Sequence, residues 1–168
     1  MGVAGCGKSV VGTELASRLA LPLVEGDDFH PARNIQKMRD AVALTDEDRA
    51  DWLQELGRQL QAQPAGAVLT CSALKRSYRD VLRSAVPDLH FVHLSLSSHQ
   101  ALERVAARTD HFYPPSLVAS QFATLEDPSS EPRVHVADAT QHVDRIVDTA
   151  ARWLEQHSGR STMRNELR

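Results

Sequence analysis

The feature that most narrows what this chain can fold into is the run Gly2-Val3-Ala4-Gly5-Cys6-Gly7-Lys8-Ser9. It satisfies the phosphate-binding pattern G-x-x-x-x-G-K-[ST] in full. The glycines let successive N–H groups turn inward around phosphate oxygens, and the helix that follows adds its positive N-terminal end. Gly2, Val3, Ala4, Gly5, Cys6, Gly7, Lys8 and Ser9 are therefore expected to cradle a nucleoside triphosphate. Lys8 would reach its β- and γ-phosphates, and Ser9 would hold Mg²⁺. Such a loop ordinarily leaves the central strand of a sheet, whereas here only Met1 precedes it. The expectation is a first strand that is truncated, through a start assigned too late or a real shortening. Apolar faces and strand edges would then lie open and the chain would be poorly stable.

Beyond the loop, apolar periodicity predicts helices over residues 8–20, 31–39, 46–63, 74–84, 100–108 and 141–156, with a short one ending at Phe122. Thr45 followed by Asp46 and Glu47 reads as a cap with acids in the first turn. Continuous apolar runs at 22–25, 67–71, 89–96 and 133–137 read as strands. Strands apolar along their whole length, alternating with helices, imply an α/β fold: a parallel sheet covered on both faces. One domain is expected over 1–157, interrupted at about 109–115, with a disordered polar tail at 158–168.

Composition excludes several function classes. The net charge of −3 argues against a nucleic-acid partner. No apolar run approaches the roughly 18–20 residues of a membrane span, and the chain enters the glycine loop with no signal peptide, so a cytoplasmic protein is expected. Cys6 and Cys71 are read as reduced thiols. Cys6 is either a small filler of the loop or a thiol whose oxidation blocks ATP.

Signatures downstream of the loop narrow the type of nucleotide enzyme. Neither N-K-x-D nor D-x-x-G, the guanine and switch signatures of GTPases, occurs, and the 67–71 strand ends in Cys71-Ser72 rather than in an Asp. The 22–25 strand instead runs into Glu25-Gly26-Asp27-Asp28. A carboxylate there, close to the γ-phosphate, can orient and deprotonate an attacking hydroxyl, and Asp27 is the candidate base. Glu25 or Asp28 is the candidate for waters of the Mg²⁺ shell, with an Asp-rich helix cap as the bland alternative.

Gly2–Ser9, the run 26–38 (Gly-Asp-Asp-Phe-His-Pro-Ala-Arg-Asn-Ile-Gln-Lys-Met) and 44–53 (Leu-Thr-Asp-Glu-Asp-Arg-Ala-Asp-Trp-Leu) together resemble the thermoresistant-type gluconokinases. So do Cys-Ser-Ala-Leu-Lys-Arg-Ser-Tyr-Arg-Asp-Val-Leu-Arg at 71–83, His111-Phe112, and Gln-Phe-Ala-Thr-Leu-Glu at 121–126. The resemblance covers nearly the whole chain in order. It implies a P-loop fold like that of nucleoside monophosphate and shikimate kinases, ATP-dependent phosphorylation of D-gluconate at its 6-hydroxyl, and a homodimer.

Gluconate needs a cation for its carboxylate and polar groups for its polyol. Candidates are His30, Arg33, Lys37, Arg49, Lys75 and Arg79. Arg49 suits a carboxylate through its planar fork, against a plain surface ion pair with Asp46 or Glu47. Arg33 and Lys37, and likewise Lys75 and Arg79, are four apart and so share a helix face; at least one of the first pair is expected to be solvated. The fold resemblance implies a mobile lid at 109–115 carrying Arg108 and Arg104 over the transferring phosphate, and adenine near residues 137–140. Two departures stand out: Asp110 where the family has Gly, and Asp40-Ala41-Val42-Ala43 in place of a Gly- and Pro-containing turn. The rival readings are a kinase for another small hydroxy acid, as in shikimate kinases, and a truncated nucleotide-binding protein that does not turn over.

Overall fold

A computed structural model describes residues 1–107 and 114–162, with side chains to His157. The glycine loop feeds α1 (Lys8–Leu19) through Gly7, whose φ of 92° is left-handed. Nothing lies within 4 Å of where a Cβ would stand there, so backbone conformation alone demands glycine. β1 (Leu23–Glu25) passes into a 3₁₀ turn (Gly26–Phe29), then α2 (Ala32–Arg39) and α3 (Asp46–Gln61). Thr45 caps α3 as expected, and Asp48 closes a reciprocal capping box. Next come β2 (Val68–Thr70), α4 (Arg76–Ala85), β3 (Phe91–Ser95) and α5 (Ser98–Ala106). A 3₁₀ turn (Pro115–Leu117), α6 (Val118–Thr124), β4 (Val134–Asp138) and α7 (Val143–Thr162) complete the order. α7 runs on to Thr162, so the first residues of the expected disordered tail are helical. Among the described residues, no helix is long and apolar enough to cross a membrane.

The strands are parallel, as their unbroken apolar character predicts, but they form two ladders rather than one sheet. β1 pairs with β2, Leu23 opposite Val68, and β3 pairs with β4, Phe91 opposite Val134. Met1 and Gly2 stand between the two ladders. The Met1 amino group donates to the Val92 carbonyl at 2.7 Å, and Leu94 N–H donates to the Met1 carbonyl at 2.9 Å. Gly2 N–H donates to the Ser72 carbonyl at 3.2 Å on the other side. One core packs α1 and α7 over β3 and β4, around Leu15, Leu94 and Ala150. A second packs α3 and α4 around Trp52, Leu56 and Leu82.

Arg79 departs from its expected role. Its side chain is fully buried and its guanidinium is engaged on every side. Nε donates to both Glu131 carboxylate oxygens at 3.0 and 3.1 Å, and Nη1 donates to the carbonyls of Ala73 (2.8 Å) and Leu74 (2.9 Å). Nη2 is paired with Glu131 as well, and Arg83 adds a bond at 2.8 Å to the same carboxylate. These arginines, Arg79 foremost, hold the Glu131 carboxyl below its ordinary pKa. Ala73 has a left-handed φ of 44°, unfavourable for a residue with a Cβ. Arg79 is thus a strut pinning the strained turn after β2, not a substrate ligand.

Removing one partner of a buried pair leaves an uncompensated charge. Glu131→Ala is therefore expected to cost about 3–5 kcal/mol in urea unfolding. A loss under about 1 kcal/mol, the range of an ordinary exposed pair, would show that the pair is not the strut of this turn.

Candidate active site

The cleft opens where α1 begins and where β1 and β2 end. Gly5, Gly7, Lys8 and Ser9 form one wall, and Asp27, His30, Arg49 and Ser72 face them. Gln121, Ser120 and Thr124 of α6 close a third side. The Lys8 ammonium lies 3.2 Å from the Val3 carbonyl, folded back along its own loop. Asp27 sits in the 3₁₀ turn after β1, with Oδ1 at 3.9 Å from His30 Nε2.

His30 is buried and stacked on Trp52, ring centroids 4.1 Å apart and planes 13° from parallel. Trp52 is fixed by its indole N–H donating to the Gly26 carbonyl at 2.8 Å. Burial pushes the His30 pKa down to about 4; Asp27 opposes this and Arg49 adds to it. His30 is thus a neutral ring near pH 7, and its Nδ1 is buried without a hydrogen-bond partner. Arg49 is also buried, its Nε likewise without a partner. Its guanidinium carbon lies 5.7 Å from the centroid of the Tyr78 ring. The ion pair with Asp46 that would make Arg49 unremarkable does not form: Asp46 accepts from Lys75 at 2.7 Å and from the Tyr78 hydroxyl. Asp48 is taken by Lys37 at 2.7 Å. Two buried polar atoms, one on a cation and one on a neutral ring, are left unpaired on residues that line a cleft also lined by a carboxylate.

Of the residues singled out from sequence, Lys8, Ser9, Asp27, His30 and Arg49 meet here. Arg33 does not: its exposed side chain pairs with Asp51 at 2.9 Å. Lys75 is absent from the cleft wall and is held by Asp46. Arg104 reaches the phosphate loop, donating to the Ala139 carbonyl at 2.9 Å and approaching that of Gly5 at 3.5 Å. It joins the loop to the 137–140 turn. Arg108 and residues 109–113 of the expected lid lie outside the described residues. Glu25 accepts from the Thr70 hydroxyl, away from the cleft wall. Cys6 is buried against the loop, which fits the filler reading.

Sequence reasoning overlooked Gln121, which entered only as part of a family block. Its Oε1 accepts from the Ala4 N–H at 2.6 Å, tying α6 to the phosphate loop. A glutamine on a short amphipathic helix was the only available signal, and nothing in the spacing named its partner.

Comparisons with known proteins find relatives over most of the chain. Residues 1–132 match the AAA domain family. The gluconokinase of Gluconobacter oxydans is 44% identical, over 90% of this chain and 87% of its own length. The thermoresistant gluconokinase of Escherichia coli is 39% identical over 88% and 86%. The crystal structure of a gluconokinase from Sinorhizobium meliloti superposes with a TM-score of 0.86 at 44% identity, covering 96% of this chain and 94% of that one.

The buried histidines make stability depend on pH. His93, buried in β3, is like His30 pushed down to about pKa 4, chiefly by burial and then by the nearby Met1 amino charge. An unfolded histidine titrates near 6.5, so between about pH 6.5 and 4 the unfolded chain binds more protons than the folded one. Stability should therefore fall as pH drops through that window and level off below it, by on the order of 3 kcal/mol per histidine. Urea melts from pH 7 to 4 check this; an unchanged slope in His93→Leu would remove His93 from the account. On the phosphate loop, Gln121→Leu strands the Ala4 N–H, at a cost of about 1–3 kcal/mol. It should weaken nucleoside triphosphate binding in equilibrium titration.

Proposed function

The chain belongs to the gluconokinase family, and we propose that its cleft passes the γ-phosphoryl group of ATP to the 6-hydroxyl of D-gluconate, giving 6-phospho-D-gluconate. The observation that carries this reading is the meeting of Asp27, His30 and Arg49 opposite the phosphate loop. Gluconate is a polyol with a carboxylate at one end and a primary hydroxyl at the other. Arg49 offers the carboxylate a charge-assisted, planar fork that no acid among the described residues has taken. His30, neutral and anchored on Trp52, exchanges hydrogen bonds with hydroxyls without adding a competing charge.

Asp27 accepts the proton of the attacking hydroxyl and aligns it with the phosphoryl group. Lys8 exchanges its contact with the Val3 carbonyl for phosphate oxygens and neutralises charge as it develops. The loop amides of residues 2–9 and the start of α1 hold the phosphates in place. Arg104 and Arg108 are assigned to the nucleotide side, Arg108 as the catalytic arginine of the lid.

Mg²⁺ belongs to the same reading. The Ser9 hydroxyl, a hard oxygen donor, would hold Mg²⁺ rather than a softer metal. Bound there, the ion would supply charge neutralisation across the phosphate oxygens. A homodimer is carried by the family resemblance alone, and a cytoplasmic location by the sequence reading alone. A shikimate-type kinase and a nucleotide-binding protein without turnover are disfavoured by the extent of the gluconokinase match.

A coupled assay of ADP release over a panel of sugar acids and shikimate tests the proposal. Gluconate should be turned over first among them, and no ADP release with gluconate would overturn the reading. Asp27→Asn is expected to lower kcat by about 10²–10⁴-fold with KM for ATP little changed. Arg49→Ala should raise KM for gluconate about 10- to 100-fold, the equivalent of a lost bond to a charged group. Arg33→Ala, removing only an exposed ion pair, should leave both constants near their starting values.

A further inference from the structure

Tyr78 is buried in the first turn of α4, yet its hydroxyl serves an acid of another helix. It donates to the Asp46 carboxylate, and the Lys75 ammonium reaches both oxygens of that carboxylate at 2.7 and 2.8 Å. The Tyr78 ring also borders two cations. The Arg49 guanidinium carbon and the Lys75 nitrogen are each 5.7 Å from its centroid. One aromatic side chain thus lies against both positive charges and holds, through its hydroxyl, the acid that either could claim.

Asp46 is the first residue of α3 and Arg49 the fourth, so the two occupy neighbouring positions on one face of the helix. That spacing permits an ion pair. Arg49 is buried and its Nε has no partner, and low-dielectric surroundings strengthen any bond it makes. Hydrogen bonds from Lys75 and then from Tyr78 hold the Asp46 carboxyl below its ordinary pKa, and the nearby Arg49 charge adds to this. The Asp46 side chain is itself mostly exposed. Its carboxylate is therefore directed by its two donors and not by packing.

We propose that Tyr78 is a positioning residue of the acceptor site: its hydroxyl, with Lys75, holds the Asp46 carboxylate away from Arg49 and so keeps that guanidinium open for the carboxylate of the substrate. This rests on the reading of Arg49 as the group that meets a sugar-acid carboxylate. Asp46 is then an internal rival of the substrate. Each molecule in which it sits on Arg49 is lost to binding, and the apparent affinity falls with the fraction left competent. Tyr78→Phe keeps the ring in the core and removes only the hold on Asp46. Neither Lys8 nor Asp27 takes part in these bonds, so the transfer step is left as it was.

Steady-state kinetics at saturating ATP over a range of gluconate compares the unaltered chain with Tyr78→Phe, Asp46→Asn and the double variant. Tyr78→Phe is expected to raise KM for gluconate about tenfold, as follows if Asp46 sits on Arg49 in about nine molecules of ten. Its kcat should stay near the starting value. In the double variant KM should return to that of Asp46→Asn alone, because an amide brings Arg49 no charge. An unchanged KM in Tyr78→Phe would overturn the proposal. So would a raised KM that the double variant keeps, since a packing defect does not depend on the charge at position 46. Should Tyr78→Phe fail to give a cooperative melting curve, Lys75→Met takes its place, alone and with Asp46→Asn, and is judged in the same two ways. An unaltered chain that releases no ADP with gluconate would instead overturn the acceptor reading and this role for Tyr78 with it. That result is distinct from a KM pattern that fails in an active enzyme.

Discussion

The site depends on the main chain of Met1 and Gly2 being held between two ladders that share no other backbone hydrogen bond among the described residues. Three hydrogen bonds set the height and direction at which the phosphate loop leaves the strands. The approach is close enough that a Cβ on Gly2 would stand 2.8 Å from the Leu94 carbonyl oxygen and 2.9 Å from the Cys6 sulfur. Glycine is therefore required there by proximity as well as by its φ of 144°. From this fixed origin the loop faces the carboxyl ends of β1 and β2, where parallel α/β sheets gather ligands. Asp27 follows one strand and Ser72 the other, so both strands of that ladder deliver a polar residue to the wall opposite the loop.

What the cleft can recognise is decided by which charges are spent before a ligand arrives. The first turn of α3 carries Asp46, Glu47 and Asp48, enough to neutralise Arg49 several times over. Yet Asp46 is occupied by Lys75 and Tyr78, and Asp48 by Lys37 and its own capping box. Lys37 lowers the Asp48 pKa to about 2, so that pair stays ionised across the working pH range. Arg49 is left buried beside the Tyr78 ring without an acid among the described residues. A buried guanidinium without a carboxylate is costly, and the cost is returned when an anionic ligand supplies one. The lysines that read as substrate candidates thus act one step removed, by keeping the local acids away from Arg49.

Much of this was legible in the sequence. The phosphate loop, the Thr45 cap, the parallel strands and the carboxylate of Asp27 at a strand end follow from local pattern, whereas His30 and Arg49 were two among six basic candidates that the family resemblance supported. What was not legible was the destination of long side chains. Lys75 and Arg79 look like an i,i+4 pair on one face, but Lys75 is the N-cap of α4, with extended backbone at φ −91° and ψ 152°. The helical spacing argument begins one residue too early, and the two side chains part. Arg79 then finds Glu131, 52 residues away, a partner that no local pattern announces. The exchanged turn at 40–43 was readable as a departure, and its consequence is visible in the backbone: Ala41 has a left-handed φ of 58°, the conformation for which glycine is the usual residue.

The elements on either side of residues 108–113 both end on the phosphate loop. Arg104, near the end of α5, lies against the Gly5 carbonyl and holds that of Ala139, and Gln121 of α6 holds the Ala4 amide. Both contacts fall on main-chain groups of neighbouring loop residues, so a shift of the loop on binding phosphate changes two bonds at once. Those bonds lead in opposite directions along the chain to the two ends of the same short segment. The phosphate loop and the helices on both sides of that segment are thus joined through main-chain groups of Ala4 and Gly5, and losing the Gln121 contact without replacement would strand the Ala4 N–H.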